Sequence, residues 1–268
     1  MFFQFFKKSV AKNLCKFNIY FNYHGLRFET INIKKRYANN KEGSLIVCIG
    51  DSNTFGWNYK YQMSYPQILE RNLNSYISNI KVINCGIGGD TVIDGFKRYE
   101  NDILFFNPET AIINFGFNDG MLFKLYRNNN TIKKSNLLYE LNNNYYSLKV
   151  KDEIFVSYLE KLIKNLKSNF INVILIGLYK INKIKTGCIY SDDKKLVNLQ
   201  NLIYKEYDNL IKKLAIKNGI VFFDLWNKLN NYEKIKNYFQ DDDFHLNITG
   251  YKLLADSLCE IILEKHLF

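Results

Sequence analysis

Ser44-Leu45-Ile46-Val47-Cys48-Ile49 runs straight into Gly50-Asp51-Ser52-Asn53-Thr54-Phe55-Gly56. The apolar half has no polar alternation, so it reads as a strand buried on both faces, the kind found in parallel sheets. The second half turns abruptly to glycine, acid and hydroxyl, the composition of a tight connection. The same unit recurs downstream. Strands are predicted at Ser44–Ile49, Ile80–Cys85, Thr110–Phe115, Asn172–Gly177 and Ile220–Phe223. Helices are predicted at Ser64–Leu73, Thr91–Phe106, Asp152–Asn169, Asp193–Asn218 and Leu246–Glu264. Ser64 is placed as an N-cap with Pro66 in the first turn, and Gly219 closes the long fourth helix. Five such units with right-handed crossovers make an α/β, three-layer, doubly wound domain. The expected core is a flavodoxin-like five-stranded parallel sheet with helices on both faces, binding its ligand beyond the carboxyl ends of the strands.

Composition narrows the function. The 268 residues suit one large domain, and 47% hydrophobic content supplies an ample core. The net charge of +11 invites a nucleic-acid reading, but only five of the 37 basic residues are arginine and the lysines are scattered. Arginine-led recognition of bases and phosphates looks different, so no nucleic-acid partner is expected. The five cysteines form no CxxC and no Cys/His cluster, so neither a disulfide framework nor a zinc site is indicated. No apolar run approaches the ~20 residues of a membrane span, and no signal-peptide core is recognised, so the chain is expected to be cytoplasmic. Phe2, Phe3, Phe5 and Phe6 with Lys7, Lys8 and Lys12 suggest either a short interfacial helix on a membrane surface or, preferred here, a terminal helix packed on its own domain or on a partner chain.

The chemistry gathers just past strand ends. Ser52 follows the first strand, where a hydroxyl is exposed and backbone N–H groups are free. It is not a Gly-x-Ser-x-Gly elbow, since residues 50–54 read Gly-Asp-Ser-Asn-Thr. Asp51 reads as a turn or cap residue. Asn84-Cys85-Gly86-Ile87-Gly88-Gly89-Asp90-Thr91 follows the second strand, but Thr91 breaks the dinucleotide fingerprint. Such a turn still offers a bare N–H, and Asn118 in Gly116-Phe117-Asn118-Asp119 offers an amide, so the two suit an oxyanion hole. His245 is one of only three histidines. A serine nucleophile needs such a base, and the base needs a carboxylate to orient it. Asp241, Asp242 and Asp243 compete for that role, and Asp242 has the three-residue spacing that folds a carboxylate back onto Nδ1.

Taken in order, Gly50-Asp51-Ser52, Asn84-x-Gly86-x-x-Gly89-x-Thr91, Gly116-x-Asn118-Asp119 and Asp242-x-x-His245 resemble the four blocks of the SGNH (GDSL-type) hydrolase family, with Asn53 where the family's name pattern has leucine. The resemblance spans residues 45–255. It implies Ser52 as nucleophile, His245 as base and Asp242 as the orienting acid. It also implies an oxyanion hole built from the Ser52 and Gly89 N–H groups and the Asn118 amide, with no metal or cofactor. The family includes carbohydrate O-acetyl esterases, arylesterases, lysophospholipases, thioesterases and some O-acyltransferases. A short acyl ester, expected to be the O-acetyl ester of a carbohydrate or small molecule, is the reading taken from the Asn- and Tyr-rich insertions. A lysophospholipase or thioesterase, an O-acyltransferase and an inactive binding module are the alternatives. The expected organisation is an extension over residues 1–43 and a hydrolase domain over 44–268, with insertions near 120–150 and 179–192. Oligomeric state is not legible.

Overall fold

A computed structural model of the chain describes residues 43–125, 139–141, 144–186, 189–191, 193–230 and 235–268. The phenylalanine-rich start of the extension and the asparagine run 128–130 lie outside the described residues.

Along the chain, β1 (Ser44–Gly50) leads into the short helix α1 (Ser52–Phe55) and then α2 (Tyr65–Asn74). β2 (Ile80–Gly86), α3 (Val92–Asp102) and β3 (Thr110–Asn114) follow. Then come β4 (Leu122–Leu125), β5 (Tyr139–Leu141), β6 (Asn144–Leu148), α4 (Asp152–Ser168) and β7 (Asn172–Ile176). The last part holds β8 (Ile184–Thr186), β9 (Ile189–Ser191), α5 (Lys194–Asn218), β10 (Val221–Phe223), α6 (Leu225–Asn230) and α7 (Ile248–Glu264).

The central sheet has the order β10-β7-β3-β1-β2, and every pair is parallel. This is the flavodoxin-like order expected. α2 packs on α7, while α3 packs on α4 and α4 on α5, so a helix layer covers each face. β1 lies next to the middle of the sheet, and Leu45 through Ile49 are wholly buried. Each such Leu, Ile or Val side chain contributes ~1.5–3 kcal/mol by leaving water, an upper figure for an extended reference chain. The close crossing of α1 over β2 depends on Gly86, where a Cβ would lie 2.1 Å from the Phe55 nitrogen.

Four local expectations differ from the structure. The second helix stops at Asp102, because Ile103 breaks to φ −121° and a separate 3-10 turn covers Leu104–Phe106. The last helix starts at Ile248, because Asn247 is extended and its side chain caps the Thr249 and Gly250 N–H groups. Ser64 precedes α2 without capping it. Its hydroxyl donates to the Tyr61 carbonyl at 2.7 Å and accepts from Asn84 Nδ2 at 3.1 Å. The insertions also hold strands that were not foreseen: β4, β6 and β5 form an antiparallel sheet, and β8 pairs with β9 as a hairpin.

Candidate active site

β1, β2 and β3 end side by side, with Gly50 opposite both Gly86 and Asn114. Ser52, the glycine turn after β2 and the Asn118 loop therefore meet at one edge, as a doubly wound sheet requires. Asp51 caps α1 by accepting the Asn53 N–H at 2.9 Å, as its cap reading anticipated. Ser52 follows as the first helical residue, and its own N–H has no partner among the described residues.

His245, the candidate base, arrives from the opposite end of the sequence. Ser52 Oγ lies 2.9 Å from His245 Nε2, and His245 Nδ1 lies 2.6 Å from Asp242 Oδ2. The other oxygen, Asp242 Oδ1, accepts the Phe244 N–H at 3.0 Å and the His245 N–H at 2.9 Å. One carboxylate thus folds its own loop and orients the ring. Burial pushes the Asp242 carboxyl up, but the bonds from His245 and Phe244 and the histidine's charge hold it below the ordinary value. The competitors are engaged elsewhere. Asp243 has φ +51° and pairs with Lys183 at 3.0 Å, and Asp241 is exposed.

The loop is tied down by groups that the sequence gave no reason to select. Gln240 Nε2 donates to the Trp57 carbonyl at 3.0 Å and the Leu246 carbonyl at 2.9 Å, and Gln240 Oε1 accepts from Asn58. Trp57 stacks on His245 with ring centroids 5.6 Å apart and an interplanar angle of 19°, and Phe244 meets the imidazole edge-on. The Tyr179 hydroxyl lies 2.9 Å from the Asn53 side chain and 3.0 Å from the Phe244 carbonyl. One phenolic proton cannot serve both. The donors balance when the Asn53 NH₂ faces the tyrosine oxygen and the tyrosine donates to Phe244, which also gives the otherwise unpartnered Asn53 amide nitrogen an acceptor.

On the opposite side of Ser52, the Asp90 N–H meets the Ile87 carbonyl at 3.3 Å and closes a β-turn over Gly88 and Gly89. Gly89 has φ +85°, the positive value demanded at the third position of a type II turn. Its N–H has no partner among the described residues. Asn118 Nδ2 donates to the Asp90 carbonyl at 3.0 Å and makes a long 3.4 Å contact with Asp51 Oδ2. The first bond holds the amide in place, and the second is weak enough to yield to a better acceptor.

Beneath this edge lie buried charges. Arg98 donates to Asp90 at 2.8 Å, Asp102 at 2.7 Å, and the Cys85 and Gly50 carbonyls at 2.7 and 3.2 Å, binding the glycine turn to the ends of β1 and β2. Burial pushes the Asp51 carboxyl up to about 7 against the Asn53 N–H bond, with Asp90 adding to the rise and Lys149 opposing it. Burial likewise pushes Asp119 up to about 7 against its bond from the Val92 N–H, with Asp51 raising it and Lys149 lowering it. Among the described residues no cluster of three or more His, Cys, Asp or Glu side chains is arranged for a metal ion.

The structure thus brings together every site residue named from the sequence: Ser52, His245, Asp242, Gly89 and Asn118. The supporting residues Gln240, Trp57, Tyr179, Arg98 and Lys149 went unnoticed. Only the Trp57 position, one residue past the Gly50–Gly56 turn, carried a usable hint.

Comparison with known proteins places the chain by sequence and by fold. The chain is 36% identical over 80 residues to "Uncharacterized lipoprotein YqeF" of Bacillus subtilis, covering 29% of this chain and 32% of that protein. It is 30% identical over 76 residues to "Arylesterase" of Vibrio mimicus, covering 28% and 38%. The matched stretch is about a third of the length of these curated relatives. Among solved structures, the acetyl xylan esterase AlAXEase superposes with a TM-score of 0.60 at 23% identity, over 81% of this chain and 99% of that one, a likeness of fold. No described helix is long and apolar enough to cross a membrane. The sequence profile of the GDSL-like Lipase/Acylhydrolase family matches residues 48–253, so the chain belongs to that family.

Proposed function

We propose that the chain is a serine carboxylic-ester hydrolase acting on short acyl esters, with an acetylated carbohydrate or similar small ester as substrate. The observation that carries the reading is the continuous line Ser52 Oγ–His245 Nε2 and His245 Nδ1–Asp242 Oδ2, at 2.9 and 2.6 Å. Ser52 Oγ attacks the ester carbonyl as its proton passes to His245 Nε2, and Asp242 supports the resulting imidazolium through Nδ1–H. Charge developing on the carbonyl oxygen is met by the Ser52 and Gly89 N–H groups, which have no partner among the described residues, and by the Asn118 amide as it leaves Asp51. The imidazolium then protonates the departing alcohol. Water, deprotonated by the same nitrogen, attacks the acyl-enzyme, the acid leaves, and the serine regains its proton.

The substrate part rests on a cleft of about 590 Å³ on the Asp242 side of the site, lined by Trp57, Asn58, Tyr59, Phe239, Gln240, Asp241, Asp242 and Asn247; Asp242 is the one triad residue among them. Aromatic faces mixed with carboxylate and amide groups suit a polar ring better than an acyl chain. That an acetyl xylan esterase shares this fold supports the same class. The test is a p-nitrophenyl ester series from acetate to palmitate with wild type and Ser52→Ala. Highest kcat/KM on acetate, absent in the variant, is expected. An optimum at long chains would replace this reading with a lysophospholipase or thioesterase, and activity surviving in Ser52→Ala would remove the nucleophile.

A further inference from the structure

We propose that Lys149, carried by the insertion between β3 and α4, is a positioning residue of the oxyanion-binding turn; the proposal rests on the esterase reading above. Lys149 Nζ donates to the Gly89 carbonyl at 2.7 Å. The next carbonyl, that of Asp90, is held by the Asn118 amide at 3.0 Å. Two consecutive carbonyls of the turn are thus anchored, one by each side chain, while the Gly89 N–H, without a partner among the described residues, can meet an oxyanion.

Gly89 needs such an anchor. A Cβ built on it would meet nothing within 4 Å, so that side of the turn is open and no side chain packs against it there. Glycine also has the widest conformational freedom of any residue. A hydrogen bond to its carbonyl therefore adds a restraint to the turn-closing bond from the Asp90 N–H to the Ile87 carbonyl. A charge-assisted bond of this kind is about twice as strong as a neutral one.

Lys149 is itself rigidly presented. It directly follows β6, its N–H meets the Met121 carbonyl at 3.3 Å, and the next N–H, of Val150, meets the Asp119 carbonyl at 3.0 Å. The Val150 carbonyl accepts from the buried Tyr207 hydroxyl. One short stretch thus fixes both the Asn118-Asp119 loop, through backbone, and the Gly89 turn, through an ammonium. Its charge also faces two buried carboxyls, Asp51 and Asp119, and draws both downward. A positive charge one peptide from the developing oxyanion favours the transition state over the neutral ester. The described part of the insertion is on this account a component of the catalytic edge.

The test compares Lys149→Met and Lys149→Cys with wild type on p-nitrophenyl acetate, before and after treatment with 2-bromoethylamine. Aminoethylation of the new cysteine rebuilds an ammonium on a side chain of lysine length, and wild type treated in parallel controls for the native cysteines. Both untreated variants are expected to lose roughly tenfold to a hundredfold in kcat, less than loss of an oxyanion donor itself, with KM within about threefold. Aminoethylated Lys149→Cys is expected to recover most of the loss. Variants as fast as wild type would overturn the proposal, as would a loss confined to KM or one that the restored ammonium does not repair. A wild type without Ser52-dependent turnover would instead overturn the esterase reading, and the proposal with it.

Discussion

The two sides of Ser52 are built in different ways. The acid–base side is local: Asp242 orients a histidine three residues away and folds the intervening loop with its other oxygen. The proposed oxyanion side is assembled from three separate places. A turn after β2 supplies Gly89, a loop after β3 supplies Asn118, and the start of α1 supplies Ser52. Long-range bonds from Arg98, Asn118 and Lys149 hold these pieces in register. A local device concentrates its function in one side chain, whereas a distributed one spreads it over several partial restraints.

That contrast is sharpest at Asp242. Asp242→Asn removes the charge and favours the wrong imidazole tautomer, so it is expected to cost up to ~10⁴ in kcat/KM, as in serine proteases. Asp241→Asn and Asp243→Asn are expected within about tenfold of wild type, because Asp241 is exposed and Asp243 is paired with Lys183 in a partly solvated ion pair that contributes little. Steady-state kinetics on p-nitrophenyl acetate decides this. If Asp243→Asn were the most damaged of the three, the local picture would fail.

On the distributed side, Asn118→Ala removes one of three donors and is expected to lower kcat by about 10²–10³ with KM little changed. A change in KM alone would make Asn118 a substrate-binding residue. Smaller again is Trp57→Ala. Stacking of an indole on an imidazolium contributes ~0.5–1 kcal/mol, which predicts a two- to fivefold fall in kcat. A loss above a hundredfold would mean that Trp57 mainly holds the loop, through its packing rather than its ring face.

The smallest effect concerns stability rather than rate. The Asp119 carboxyl, pushed up to about 7 in the fold, titrates near ~3.9 when unfolded. Between these values the folded state binds the extra proton. Its contribution is therefore fully present below about pH 4 and is lost as pH rises through about 7. Asp119→Asn keeps an acceptor for the Val92 N–H and removes the titration. Its Tm should fall less than that of wild type between pH 5 and pH 8. Equal falls would mean that Asp119 is ionised throughout.

The same contrast explains what was legible in the sequence. Leu45–Ile49 announced a buried strand because burial on both faces leaves an unbroken apolar run, and Asp242-x-x-His245 announced an acid–base pair because its geometry is set within four residues. β4, β5 and β6 of the first insertion were missed because each has only three to five residues and the segments between them are rich in asparagine. Gln240, Tyr179 and Lys149 were missed for a different reason. Their partners lie 183, 126 and 60 residues away, and nothing in a glutamine, tyrosine or lysine by itself signals such a bond. Ser64 shows the converse, since a capping position was readable but its hydroxyl is taken by Tyr61 and Asn84.

The central claim is that Ser52 is the group His245 activates. The most direct measurement is reaction with a fluorophosphonate, followed by intact mass and peptide mapping, for wild type and Ser52→Ala, each checked for an unchanged thermal transition. A single adduct on Ser52, absent from the folded variant, is the predicted result. An adduct on another serine, or undiminished labelling of Ser52→Ala, would contradict it.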